Sequence, residues 1–288
     1  MKTGIIGLGA MGSPIALNLY KAGHLAYAWN RTRTTTEALA GRCHNLAIAS
    51  SPAALAARCE LILISVSADA DVRQVIDALL PEVTPGTLIV DTSTISATTA
   101  RDMAQRVAAH GAQFLDAPVS GGVEGAKNAT LAMMVGGDVD ALEKAQPVLR
   151  TIAQHIIHMG PSGSGQATKA VNQIMAAGIN QAVTEALGFA QAMQLPLDKV
   201  IEVVGSGAAG NWFLNHRGST MAQGSYAPGF KVALHHKDLA ICKHMADEAD
   251  IPLPITEMTL MHYKNLIETG YGAEDISALF RLKKPCRD

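Results

Sequence analysis

The sequence predicts an α/β fold in two parts: a doubly wound parallel sheet over residues 1–162, then an all-helical domain over 163–288. Three observations carry this expectation. Short apolar runs of strand length recur through the first half, separated by helix-like intervals, which is the pattern of parallel strands joined by crossover helices. Strand signals stop after residue 165. At the change stands a glycine-rich turn, GPSGSG (160–165), running into a segment that reads as one long helix over 166–195.

Residues 3–8 (TGIIGL) form an apolar run that feeds GLGAMG, with Gly7, Gly9 and Gly12 at GxGxxG spacing before a helix-like stretch closed by Gly23. Such glycines serve a tight turn, room for a pyrophosphate and close helix–strand packing. The helix start adds backbone N–H groups and a positive dipole end, both suited to phosphate. Gly7, Leu8, Gly9, Ala10, Met11 and Gly12 are therefore the expected cofactor cradle of a Rossmann-type domain. The next run, 25–29 (LAYAW), ends at Asn30, Arg31 and Thr32, where such a fold reads the adenosine ribose. An acid there would select NAD. Neutral Asn30, followed by a guanidinium that can stack on adenine and pair with phosphate, favours NADP, with NAD as the alternative.

Further strands are expected at 61–66, 87–91 and 113–117, with helices such as 69–80 and 97–110 between them. Ligands of such sheets bind at the carboxyl ends of the strands. The loops Ser65–Asp69 (with Ser65, Val66 and Ser67), Asp91–Ser96 and Asp116–Gly122 should therefore face the cofactor. In the last of these, DAPVSGG, residues Ser120, Gly121 and Gly122 can turn successive N–H groups inward as a cradle for a carboxylate. TLAMMVGG (130–137) reads as a hairpin-like continuation.

The stretch GPSGSGQATKAVNQ (160–173) places a single lysine, Lys169, on the first turns of the long helix, beside glycines expected to let a ligand come close. Asn172 and Gln173 follow three and four residues later, on the same helical face. Beyond it, helices are expected at 197–206, 211–223, 231–250 and 254–269, with Met175 and Met193 as core filler. The apolar content exceeds what a domain of that size needs for its own core, which points to a homodimer or homotetramer.

Bulk properties narrow the class. Among 288 residues, 48% are hydrophobic and 17% charged, with a net charge of −2, so nothing favours nucleic acid or an anionic membrane. Cys43, Cys59, Cys242 and Cys286 form no CxxC pair, which argues for a reducing compartment and against a zinc site. His155, His158, His235 and His236 lack carboxylate or thiolate companions at ligand spacing, so no metal is expected. With neither a signal peptide nor an 18-residue apolar run, the expected location is the cytoplasm.

Four stretches, GLGAMG (7–12), DAPVSGG (116–122), GPSGSGQATKAVNQ (160–173) and HKDLAI (236–241), agree in order and spacing with one family. Over essentially its whole length the chain resembles the β-hydroxyacid dehydrogenases, a group that includes 3-hydroxyisobutyrate dehydrogenases and tartronate, glyoxylate and succinic semialdehyde reductases. The resemblance implies Lys169 as catalytic lysine, Ser120, Gly121 and Gly122 as the substrate-carboxylate loop, and Thr94 near the nicotinamide. It implies Lys237 as a cofactor-side lysine with Asp238 beside it. Many relatives carry asparagine four residues after the lysine, where this chain has Gln173, so either Asn172 or Gln173 could orient the substrate. Asn211, Trp212 and Phe213 look like the 3-hydroxyisobutyrate branch. APGFKV (227–232), with Phe230, looks more like the tartronate semialdehyde branch, and the resemblance leaves the substrate open.

The implied activity is an NADP-preferring interconversion of a short 3-hydroxy carboxylate and its semialdehyde. Lys169, its pKa lowered by burial, would donate or accept the proton. Three alternatives are weaker. A 6-phosphogluconate-type enzyme would need a longer helical region with basic phosphate ligands. An imine-reductase-like enzyme would usually replace the lysine. A non-catalytic NADPH-binding sensor or scaffold would not need both Lys169 and the DAPVSGG loop.

Overall fold

Thr3–Ile6 (β1) is buried along its whole length because both faces of the sheet it joins are covered. The computed structural model describes residues 1–283; Cys286 lies outside them. Leu25–Trp29 (β2), Ala47–Ile48 (β3), Leu61–Ile64 (β4), Leu88–Asp91 (β5) and Gln113–Asp116 (β6) follow. Val119–Ser120 (β7), Leu131–Gly136 (β8) and Ala153–Gly160 (β9) complete the sheet. Neighbouring residues of one strand feed opposite cores: Ile5, Leu63 and Val90 pack on one side, Ile6, Ile62 and Ile89 on the other. That is why these strands read as unbroken apolar runs rather than alternating ones.

The crossover helices are Gly12–Lys21 (α1), Arg33–Ala40 (α2), Pro52–Ala56 (α3), Asp69–Leu79 (α4) and Ala97–Ala108 (α5). Gly122–Asn128 (α6) and Val139–Leu149 (α7) follow β7 and β8. The strand order is β3-β2-β1-β4-β5-β6-β8-β7, with β9 paired to β8. Strands β1 to β6 pair in parallel, but β8 runs antiparallel to β6 and β7. The doubly wound sheet is parallel from β1 to β6 and turns antiparallel at β8, within the 130–137 run expected as a hairpin-like continuation, because the chain doubles back through the seven-residue α6 instead of crossing over.

Ser164–Ala192 (α8) is the long helix expected from the sequence, and the chain divides into two compact units inside it, after Lys169. The compositional change at 162/163 precedes that division because the first turns of α8 pack with the sheet. The second unit continues with Leu197–Gly205 (α9), Trp212–Ala222 (α10), Val232–Glu248 (α11), Pro254–Glu268 (α12) and a 3₁₀ turn, Ile276–Lys283. Its core gathers Phe213, Leu214, Tyr263, Leu266, Leu279 and Phe280. Asp275 binds the 227–232 stretch to this core, accepting from the N–H groups of Gly229 (2.9 Å) and Phe230 (3.0 Å). Among the described residues, no helix is long and apolar enough to cross a membrane.

Met175 and Met193 correct an expectation. They are 60% and 58% exposed, and with Val171, Ile179 and Phe189 they form an apolar stripe along α8. A 29-residue helix can bury one face in its own domain and leave a second apolar face on the surface.

Candidate active site

The glycine-rich loop between β1 and α1 shows three different requirements. A Cβ at Gly7 would stand 2.1 Å from the Ser65 carbonyl oxygen, and one at Gly12 would stand 2.0 Å from that of Gly7. At Gly9 it would meet nothing within 4 Å. Two of the glycines are thus needed by the protein's own packing. Gly9 leaves open, exposed backbone at the mouth of α1, where a diphosphate fits and a side chain would intrude.

Asn30 serves that loop directly. Its Oδ1 accepts from the Leu8 N–H at 3.0 Å and its Nδ2 donates to the Thr32 carbonyl at 3.1 Å, tying the cradle to the end of β2. The expected ribose-facing carboxamide is thus engaged in shaping the turn. Arg31 extends outward with its guanidinium 3.4 Å from Asp71, and Thr32 stands at the start of α2.

The carboxyl ends of β4, β5 and β6 hold a polar network that the sequence reading did not find. The Val66 N–H donates to Ser93 Oγ at 2.9 Å. Gln166, buried in α8, donates to the Ser93 carbonyl (2.8 Å) and accepts from the Ile95 N–H (3.1 Å), so it grips both sides of Thr94. Ser67 lies exposed in the loop beyond Val66. Asp116 accepts from the N–H groups of Gly163 (2.8 Å) and Gln166 (2.9 Å), fastening the start of α8 to β6. The spacing of Gln166, three residues before Lys169, was the available signal, since residues that far apart share a helix face.

The glycines before Lys169 have a role other than the expected one. A Cβ at Gly165 would lie 2.4 Å from the Met134 carbonyl oxygen and 2.5 Å from that of Asp116. The turn admits the sheet's own backbone to α8 rather than a ligand. Lys169 emerges from it 7% exposed, and Nζ donates to the Val119 carbonyl at 2.9 Å. Val119 immediately precedes Ser120, Gly121 and Gly122, where Gly121 and Gly122 take positive φ (126° and 61°) as the chain turns into α6. The ammonium and the expected carboxylate cradle are therefore neighbours.

Asp91 pairs in register with Asp116 and is fully buried. Burial pushes its carboxyl up to about 7, the Asp116 and Asp69 charges add to the rise, and hydrogen bonds from Ser93 oppose it. A raised folded-state value stabilises the protein at low pH and loses that contribution as pH rises through it. Asp91→Asn should accordingly raise Tm by roughly 5 °C at pH 8 and by little at pH 5. Thermal melts across that range check the sign; an equal shift at both pH values would exclude it.

In the second unit, Gln173 is 2% exposed and Asp238 is 4% exposed. Gln173 Nε2 donates to Asp238 Oδ2 at 2.6 Å, while Lys237 Nζ pairs with Asp238 Oδ1 at 2.7 Å. Asn172 Nδ2 donates to Gln173 Oε1 at 2.8 Å. Asp238, which the resemblance places beside Lys237, holds both the Lys237 and Gln173 side chains. Asn211 caps α10, its Oδ1 accepting from the Leu214 N–H at 2.9 Å, so its carboxamide is committed to the helix start. Trp212 is 60% exposed and stacks on His216 with ring centroids 4.3 Å apart. Phe230 packs obliquely on His235.

A nucleotide-binding sheet joined to a helical unit through a lysine-bearing helix defines a two-part dehydrogenase. Residues 2–160 match the model of the NAD binding domain of 6-phosphogluconate dehydrogenase. Residues 163–283 match the NAD-binding model of NADP-dependent 3-hydroxyisobutyrate dehydrogenase. The chain is 33% identical to an NAD-dependent L-serine dehydrogenase of Pseudomonas aeruginosa, covering 97% of each. It is 34% identical to 2-(hydroxymethyl)glutarate dehydrogenase of Eubacterium barkeri, over 98% of this chain and 94% of that one. The solved structure of Mycobacterium tuberculosis 3-hydroxyisobutyrate dehydrogenase with L-serine superposes with a TM-score of 0.90 at 33% identity, covering 99% of both. The chain belongs to the β-hydroxyacid dehydrogenase family and is an oxidoreductase with NAD(P)-binding domains.

Proposed function

We propose that the protein oxidises a short 3-hydroxy carboxylate to its semialdehyde, or runs the reverse, with NADP preferred and Lys169 carrying the proton. The observation behind this reading is the buried Lys169 ammonium, 2.9 Å from the carbonyl of the residue that leads into the Ser120–Gly122 turn. One end of the substrate, its carboxylate, is held by the N–H groups of that turn. Its reacting oxygen then lies within reach of Lys169, whose ammonium form protonates it in reduction and whose neutral amine takes its proton in oxidation. The cofactor is held by the open backbone at Gly9 and the start of α1, with Arg31 at the ribose end and Thr94 at the nicotinamide end; bound there, it supplies or takes the hydride.

The deciding experiment is a turnover panel of C2–C4 semialdehydes and hydroxy acids, including 3-hydroxyisobutyrate, glycerate and L-serine, with both cofactors. Turnover restricted to carboxylate-bearing substrates is the expected result. Activity that ignores the carboxylate would overturn the assignment of the Ser120–Gly122 turn. NADP preference rests on Arg31, so Arg31→Ala should cut kcat/KM for NADPH by about 10- to 100-fold while NADH changes less than about threefold. A parent enzyme that already prefers NADH would reject that reading.

The functional form is a homo-oligomer built on the apolar stripe of α8. Placing a charge in it, as in Met175→Glu with Phe189→Glu, should yield monomers by light scattering. A parent that is already monomeric would exclude this assembly.

A further inference from the structure

The first turns of α4 send their charges to two sides. Asp69 and Arg73, four residues apart, share the face turned toward α5. Asp69 Oδ1 accepts from the Ser96 N–H at 3.0 Å, while Arg73 pairs with Asp102 and donates to Thr99 Oγ1 at 3.0 Å. Asp71 stands two residues beyond Asp69, about 200° further round the helix, and meets the turn after β2 instead. Its Oδ1 lies 3.4 Å from Nη1 of Arg31, the guanidinium assigned to the ribose end of the cofactor. Arg33, the other guanidinium near that turn, is engaged on its own helix by Glu37 at 2.8 Å. The partners in the Arg31 pair differ in freedom. The Arg31 side chain is 80% exposed and that of Asp71 27%, so the acid is the seated partner and the arginine the one that can swing.

A guanidinium held by a carboxylate has to leave it before it can give itself wholly to a phosphate. The affinity for that phosphate is then reduced by the fraction of the arginine that is released. We propose that Asp71 is a specificity-determining residue for the cofactor. It competes with the 2′-phosphate for Arg31 and so narrows the preference for NADPH over NADH. NADH carries a 2′-hydroxyl at that place, needs no guanidinium there, and is indifferent to the pair. An exposed ion pair of this kind shifts an equilibrium by up to about fivefold. The Asp71 charge also faces an incoming anion, which adds repulsion in the same direction. This rests on Arg31 as the 2′-phosphate ligand, and it identifies the residue that sets how strongly that ligand discriminates.

The test is a binding cycle that needs no turnover. Kd values for NADPH and NADH are measured by nicotinamide fluorescence at one salt concentration in the full-length parent, Asp71→Asn, Arg31→Ala and the double variant. Asp71→Asn should tighten NADPH by about 3- to 10-fold and move NADH by less than about twofold. A gain in affinity has no origin in a damaged fold, so a merely structural Asp71 would not give it. In the Arg31→Ala background the same change should yield less than about twofold, since no guanidinium is left to release. Asp71→Glu, which keeps the carboxylate, should stay within about twofold of the parent. Unchanged NADPH affinity in Asp71→Asn, equal tightening of both cofactors, or an undiminished gain without Arg31 would each overturn the proposal. If Arg31→Ala binds NADPH as the parent does, the 2′-phosphate is read elsewhere, and the cofactor reading and this proposal fall together. NADPH weakened by Arg31→Ala but untouched by Asp71→Asn refutes the role of Asp71 alone.

Discussion

Lys169→Ala should lower kcat by at least about 100-fold while leaving NADPH affinity within a few-fold of the parent, the usual scale of general acid–base assistance. The ammonium is 7% exposed, so no bulk water stands ready to replace it as proton donor. The cofactor contacts proposed at Gly9 and Arg31 come from other loops, so truncating this side chain removes none of them. The Val119 carbonyl loses its 2.9 Å donor, which adds a modest structural cost. Lys169→Arg separates the two effects, since a guanidinium restores a donor but does not readily release a proton. Stopped-flow hydride transfer, with cofactor titrations by fluorescence, reads both quantities. Turnover within about threefold of the parent in Lys169→Ala would remove the lysine from the chemistry.

The second large effect is expected in the cofactor loop, where two glycine-to-alanine changes should fail in different ways. Gly12→Ala forces a methyl to within 2.0 Å of the Gly7 carbonyl oxygen, so α1 must move away from β1. Both stability and cofactor binding should fall, Tm by roughly 8 °C or more, in the range of a severe core defect. Gly9→Ala meets no protein atom within 4 Å and should leave Tm unchanged. Its methyl occupies the space read as the diphosphate's, so the Kd for NADPH should rise at least about 10-fold. Melting curves with cofactor titrations on both variants make the comparison. Undiminished cofactor binding in Gly9→Ala would place the diphosphate elsewhere.

Periodicity and spacing made much of the fold legible. The run at 25–29 coincides with β2, and those at 61–66, 87–91 and 113–117 overlie β4, β5 and β6, because a strand covered on both faces must be apolar throughout. The long helix was equally plain. The antiparallel turn at β8 was legible only as the hairpin-like run over 130–137, because the short α6 that makes the turn carries no signal of its own. The exposed methionines of α8 were misread since apolar periodicity records a face without saying what covers it. In the site, residue types were easier to read than their uses. Asn30 announces a polar group at the ribose end of β2, but only the Leu8 N–H at 3.0 Å shows that the carboxamide shapes the loop. Gln166 acts on the Ser93 and Ile95 backbone and Asp238 on the Gln173 carboxamide, and one-dimensional spacing carries little about partners 65 or more residues away.

The attachment of α8 to Asp116 makes the helix an index. The N–H of Gln166 is fixed to the end of β6 at 2.9 Å, and Lys169 stands three residues beyond it. Each residue of helix adds about 100° of rotation and 1.5 Å of rise. One residue inserted between the two positions would swing the ammonium away from the Val119 carbonyl, though every side chain of the constellation remained. The helix length from 166 to 169 therefore sets where the ammonium stands, and with it the proposed proton transfer, whatever side chains line the neighbouring turn.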